Sequence, residues 1–189
     1  MTAFWISLVF VAIAEMGDKT QLVALAFATR YRATTVLGGV FVATLAVHLV
    51  SVFLGEMADM ALPLFWINLL AGLSFLAFGA WTLRGDTLDE EAELKPKRFG
   101  PFLTVAVTFF IAELGDKTML TTITIASQQQ SFLGVWLGST LGMVVADGLA
   151  IIVGKVMGKR IPERAVKIIA AMVFFAAGLW TIAAAIRQW

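Results

Sequence analysis

The sequence predicts an all-α integral membrane protein of six transmembrane helices, built as two inverted three-helix repeats. Three observations predict it: long apolar stretches, basic residues confined to alternate loops, and a second half that repeats the first. Of 189 residues, 60% are hydrophobic and only 14% charged, whereas a soluble domain carries roughly a quarter charged residues. Several apolar stretches also exceed the roughly 20 residues that a helix needs to cross a bilayer core. A soluble globular protein is excluded on this balance. The formal net charge of +1, with no rich basic cluster, gives no basis for nucleic-acid binding. The absence of cysteine removes disulfides, thiolate metal sites and cysteine nucleophiles together.

Apolar segments bounded by charge, Pro or Gly place the spans at about 3–28, 34–55, 63–83, 101–126, 132–154 and 165–186. Ala12-Ile13-Ala14 has the form of a signal-peptide cleavage site, but the first 14 residues contain no Lys or Arg. A signal peptide has a basic start, so this segment reads as a retained helix. Basic residues gather in loop one (Arg30, Arg32), loop three (Arg84, Lys95, Lys97, Arg98) and loop five (Lys155, Lys159, Arg160, Arg164, Lys167). Only Arg187 lies on the other side. The positive-inside rule then places both termini outside the cytoplasm, in the cell (inner) membrane. Trp5, Trp66, Trp81, Trp136 and Trp189 near span ends fit an interfacial aromatic belt. Residues 1–84 form the first repeat, 85–99 a charged cytoplasmic linker and 100–189 the second repeat. The linker runs from acidic Asp86, Asp89, Glu90, Glu91 and Glu93 into Lys95, Lys97 and Arg98. It reads as a solvated connection, because no metal-site spacing stands behind the carboxylates.

The repeat is visible residue by residue. Glu15-Met16-Gly17-Asp18-Lys19-Thr20 matches Glu113-Leu114-Gly115-Asp116-Lys117-Thr118 at an offset of 98. Beyond the first loop the offset is 99, aligning Gly55 with Gly154, Pro63 with Pro162, Gly79 with Gly178 and Trp81-Thr82 with Trp180-Thr181. Three spans per half is an odd number, so the second half must enter the membrane in the opposite sense. Such inverted repeats are typical of secondary transporters, whose sites lie near the midplane where the repeats meet.

Both motifs fall about halfway along their predicted spans, where a charge costs at least about 2.5–3.5 kcal/mol on insertion scales. On a continuous helix, Glu15 and Asp18 share a face, as do Glu113 and Asp116. Glu15–Lys19 and Glu113–Lys117 are i, i+4 pairs in the favourable order. Purely structural ion pairs are a weak explanation, since burying charge pairs gains little and this pairing leaves both aspartates over. If every group is ionised, each motif carries one net negative charge, and one divalent cation neutralises the two motifs. Carboxylate, hydroxyl and carbonyl oxygens suit Mn²⁺, Ca²⁺ and Mg²⁺ rather than Zn²⁺ or Cu⁺. Thr20 and Thr118 can add hydroxyl oxygens. Gly17 and Gly115 serve either close helix packing or an unwound backbone.

Two more intramembrane polar residues stand at matching repeat positions, His48 in span two and Asp147 in span five. Thr44, His48 and Ser51 share one helix face, and Thr140 lies two turns before Asp147 on its face. Either His48 or Asp147 is a candidate ligand or proton carrier, with an interhelical hydrogen bond as the plain alternative. Gly134, Gly138 and Gly142, four apart, predict a close packing face.

The doubled E-φ-G-D-K/R-T/S motif in a chain of this length resembles the Gdt-type calcium/manganese:cation antiporter family. Its bacterial members are of the MneA-type manganese-exporter kind. The likeness covers the whole chain: both motifs, their order, the three-plus-three repeat and the charged central loop. It implies that Mn²⁺, and also Ca²⁺, is transported in exchange for protons or another cation, as substrate and not as a cofactor. It implies that Glu15, Asp18, Glu113 and Asp116 are the metal-binding carboxylates; the charge arithmetic, not the resemblance, gives Lys19 and Lys117 a charge-balancing role. Alternating access follows as the expected mechanism, with outside protons displacing the metal. A divalent-cation channel and a non-transporting scaffold with structural ion pairs are the alternatives. No nucleophile–base arrangement suggests an enzyme.

Overall fold

Among the described residues the chain forms eight α-helices and no strand: α1 Thr2–Glu15, α2 Lys19–Arg30, α3 Ala33–Ala61, α4 Leu64–Arg84, α5 Pro101–Glu113, α6 Lys117–Gln128, α7 Phe132–Met157 and α8 Glu163–Arg187. The structure is a computed structural model describing residues 1–84, 100–157 and 163–187. The charged linker at 85–99, with Lys159, Arg160, Pro162 and Trp189, lies outside the described residues. Four helices are long and apolar enough to cross a membrane: Ala33–Ala61, Leu64–Arg84, Phe132–Gly154 and Arg164–Arg187. They correspond to predicted spans two, three, five and six. The first of them runs beyond the predicted 55 to take in Glu56 and Asp59, since a helix need not end where its apolar stretch does.

Predicted spans one and four are not continuous helices, and this corrects the sequence reading. Each is two shorter helices meeting at the motif. With 14 and 12 residues, α1 and α2 are about 21 and 18 Å long at 1.5 Å per residue. Neither alone covers a hydrocarbon core of about 30 Å. The cause is local. Met16 adopts φ −62°, ψ 121°, Gly17 takes φ +75°, and the Asp18 N–H donates to the Glu15 carbonyl at 3.0 Å. That is a type II β-turn, whose third residue needs positive φ and therefore favours glycine. The second copy repeats it: Leu114 at φ −65°, ψ 112°, Gly115 at φ +81°, and Asp116 N–H to Glu113 carbonyl at 3.2 Å. No other described residue has positive φ.

The principal packing partners lie across the halves. α1 packs on α7, α5 on α3 and α4 on α8, while α2 meets α7 and α6 meets α3. The predicted glycine face on α7 forms: a Cβ on Gly138 would strike the Phe4 carbonyl, and one on Gly142 would lie 2.5 Å from the Leu8 carbonyl. Phe10, Phe75, Phe78 and Phe174 pack together where α1, α4 and α8 meet. A second apolar cluster, with Phe27, Val40, Val105, Phe109 and Ile151, joins α2, α3, α5 and α7. Elsewhere the polarity is inside out. Leu179, Trp180 and Ile152 face outward, whereas Thr44, His48, Ser51, Thr121, Thr122, Ser139 and Thr140 are fully buried. Water-soluble proteins bury apolar groups and expose polar ones, so this distribution suits a lipid surround. Trp5 and Trp66 are exposed near helix ends, as a belt requires. Trp136 instead turns inward and donates its indole N–H to the Leu45 carbonyl at 2.8 Å, tying α7 to α3.

Candidate cation site

The turn geometry distributes each motif over two helices. Glu15 and Glu113 are the last residues of α1 and α5, and Asp18 and Asp116 are the N-caps of α2 and α6. The single-face argument for a continuous helix is thereby replaced: the carboxylates come together because the helix stops between them. Ending α1 and α5 leaves carbonyls at their C-termini, where the helix dipole favours cations, while the α2 and α6 N-termini favour the aspartates. Asp18 uses its position fully, accepting from the Thr20 N–H.

All four motif carboxylates are buried, with Asp18 and Asp116 the more exposed at 2% and 5%. The expected Glu–Lys pairs four residues apart do not form. Each glutamate is held by the threonine of its own motif: the Thr118 hydroxyl donates to Glu113 at 2.6 Å, and Thr20 donates to Glu15. The Thr20 hydroxyl also lies 2.8 Å from Asp18 Oδ2. The break explains the change, because leaving the helical path removes the i, i+4 neighbour on which the pairing relied. Lys117, itself buried, instead pairs across the halves with Asp18 at 2.8 Å. Lys19 is half-buried and lines a cleft of about 290 Å³ together with Gly17, Asp18, Gln21, Ala146 and Lys167. The two lysines, predicted as equivalent, thus occupy different places.

Of the two extra candidates, the structure brings Asp147 to the motifs and leaves His48 apart. Asp147 is fully buried, and Asp18, Glu15 and Glu113 all lie within electrostatic reach of it. Among the described residues neither Asp147 carboxylate oxygen has a hydrogen-bond partner; Glu15 Oε2 and Glu113 Oε1 are likewise without one. His48 faces Thr140, with Nδ1 3.5 Å from its hydroxyl, and no described carboxylate acts on it. Thr44 and Ser51 spend their hydroxyls on carbonyls of their own helix, at 2.9 and 2.8 Å. Among the described residues no three acidic or histidine side chains stand close enough to cage a metal ion in this conformation.

Sequence reasoning missed Gln21. Its Oε1 accepts from the Gly17 N–H at 2.9 Å, and its amide donates to the Ala146 carbonyl on α7 at 3.2 Å. A glutamine just after the motif offers no signal by type alone; only the turn, with its freed N–H, makes it legible.

Buried carboxylates at paired helix breaks, inside an apolar shell, define the construction of an ion-carrying membrane protein. The chain belongs to the GDT1 family, described as divalent cation/proton antiporter GDT1, whose pattern matches it twice, over residues 3–90 and 101–189. The double match falls on the two repeats. A Vibrio cholerae protein named "Putative manganese exporter" is 37% identical over 186 residues, covering 96% of this chain and 90% of its own. A GDT1-like protein of Synechocystis is 31% identical, covering 93% and 94%. GDT1-like protein 5 of Arabidopsis thaliana is 27% identical, covering 96% of both chains. No solved structure matches. The family is one of antiporters, so the protein is a transporter and not an enzyme.

Proposed function

We infer that this chain is a six-span inner-membrane antiporter that exports Mn²⁺ from the cytoplasm in exchange for protons, with Ca²⁺ as a second hard cation it accepts. The observation that carries the reading is the pair of type II turns, each presenting a buried glutamate and aspartate, with Asp147 orphaned between them. The cation ligands are Glu15, Asp18, Glu113, Asp116 and Asp147, with Thr20 and Thr118 orienting the glutamates. Oxygen donors alone suit Mn²⁺ and Ca²⁺, and the name of the Vibrio relative supports manganese and export. Lys117 holds Asp18 in the present conformation. Cation binding would draw the carboxylates into a shell, and protons would replace it by neutralising them.

Inverted repeats and alternating access are supported by the cross-half packing and by an asymmetry between the two ends. At one end the cleft reaches Gly17 and Asp18 past Leu25, Val153 and Lys167. These residues adjoin loops one and five, which the basic residues assign to the cytoplasm. At the other end Gln128 at the close of α6 donates to Asn68 of α4 at 3.2 Å. The arrangement fits a carrier open inward.

Purified protein in liposomes under a pH gradient tests the reading. Mn²⁺ should move against the proton flow, Ca²⁺ should compete, and Asp116→Asn should abolish both movements while the protein still inserts. Metal flux without coupled proton flux would overturn the antiport reading, and unchanged flux in Asp116→Asn would remove that residue from the site.

A further inference from the structure

Gln21 has a repeat partner whose chemistry is different. At the matching position of the second motif stands Met119, whose sulfur takes the Gly115 N–H at 3.2 Å. A thioether accepts weakly and has nothing to donate, so the second turn gains no bond to the opposite half through this residue. The receiving helices differ in step. Ala146 on α7 aligns with Val47 on α3, and Ala150 aligns with Ser51. The Val47 carbonyl accepts from the Ser51 hydroxyl at 2.8 Å. Ala150 has no hydroxyl, so the Ala146 carbonyl is open to Gln21, which takes it. One amide therefore clamps the turn that carries Asp18 to the residue preceding Asp147. In the other half the corresponding carbonyl is consumed within its own helix.

We propose that Gln21 is a positioning residue that sets the spacing between Asp18 and Asp147, making the first motif the preset half of the cation site. The second motif, whose Gly115 N–H meets a thioether and not an amide that reaches the opposite half, takes its final geometry from the bound cation. This inference rests on the proposed transport site and deepens it. A lost positioning contact should weaken cation capture more than the later translocation steps.

The test is initial-rate Mn²⁺ uptake into liposomes for the full chain and three variants. Gln21→Met keeps a weak acceptor for the Gly17 N–H and loses the donor. Ala150→Ser leaves Gln21 intact but offers the Ala146 carbonyl the competing hydroxyl that the other half already uses. Each should raise KM for Mn²⁺ about three- to tenfold, the loss of a single hydrogen bond, with kcat within about twofold of the parent. The double variant should be no worse than either single one, because both remove the same bond. A KM unchanged in Ala150→Ser, a fall confined to kcat, or additive effects in the double variant would overturn the proposal. Ala150→Ser is a small change on a helix and guards against a Gln21 variant that simply misfolds. Parent protein that carries no Mn²⁺ would instead sink the transport reading, so the two failures are distinguishable.

Discussion

A carboxylate buried with both oxygens unpartnered costs folding free energy that a neutral side chain of the same shape does not. Asp147 is in that position, and its amide counterpart separates use from architecture. Asp147→Asn should lose Mn²⁺ transport while its thermal unfolding temperature in detergent stays level or rises. Retained transport would remove Asp147 from the ligand set, and a marked fall in unfolding temperature would assign it a packing role. Sequence alone named both His48 and Asp147 by depth and by repeat position, and ranked Asp147 higher only because a charge is costlier to bury. Three-dimensional neighbours part them: Asp147 is grouped with the glutamates and Asp18, whereas His48 looks at a threonine. Residue type and spacing along one helix carry no information about which facing helix lies opposite, and that is why the distinction was not legible. The same limit applies to Lys117, whose partner is 99 positions away, and to Gln21.

At the scale of the element, the motif is a turn written into a span. E-φ-G-D reads within a helical window as a tolerable sequence, because a lone glycine lowers helix stability by only about 1 kcal/mol and no proline marks the break. The four motif carboxylates were therefore legible as a candidate site, while the geometry that assembles them was left open between packing and unwinding. The positive φ of Gly17 and Gly115 decides for unwinding. An L-residue in the left-handed region costs roughly 1–2 kcal/mol, so Gly115→Ala should destabilise by about that much. Gly17→Ala should cost more, since its new methyl would also lie 3.1 Å from the Lys167 stem, whereas nothing lies within 4 Å of a methyl on Gly115. Thermal unfolding of both variants in detergent checks the order. Equal unfolding temperatures, or no change in either, would mean that the turns relax without the left-handed glycine.

For the whole molecule the decisive quantity is sidedness, and the repeat makes it testable. Helix contacts bring the start of α3 beside the start of α5, through Gly39 and Val105, and the end of α2 beside the end of α7, through Leu25 and Gly154. The starts of α1 and α7 meet at Ala3 and Gly134, and the end of α3 meets the end of α6 at Gly55 and Ala126. These neighbours sort the connections into two sets at opposite ends. Connections near 32 and 100 share one end; those near 62 and 130 share the other with the N-terminus. In the proposed orientation the first set, flanked by the basic residues, faces the cytoplasm. Because the chain has no native cysteine, single cysteines report position without background. In intact cells a membrane-impermeant maleimide should label Leu62→Cys and Gln129→Cys, and should label Arg32→Cys and Gly100→Cys only after the membrane is opened. The reverse pattern would invert the orientation and make the cleft at Asp18 face outward, turning the proposed exporter's resting state around. Labelling of all four positions from one side would break the alternation itself. The broken helices would then be re-entrant segments, and the two motifs would not meet as opposed halves of one cation site.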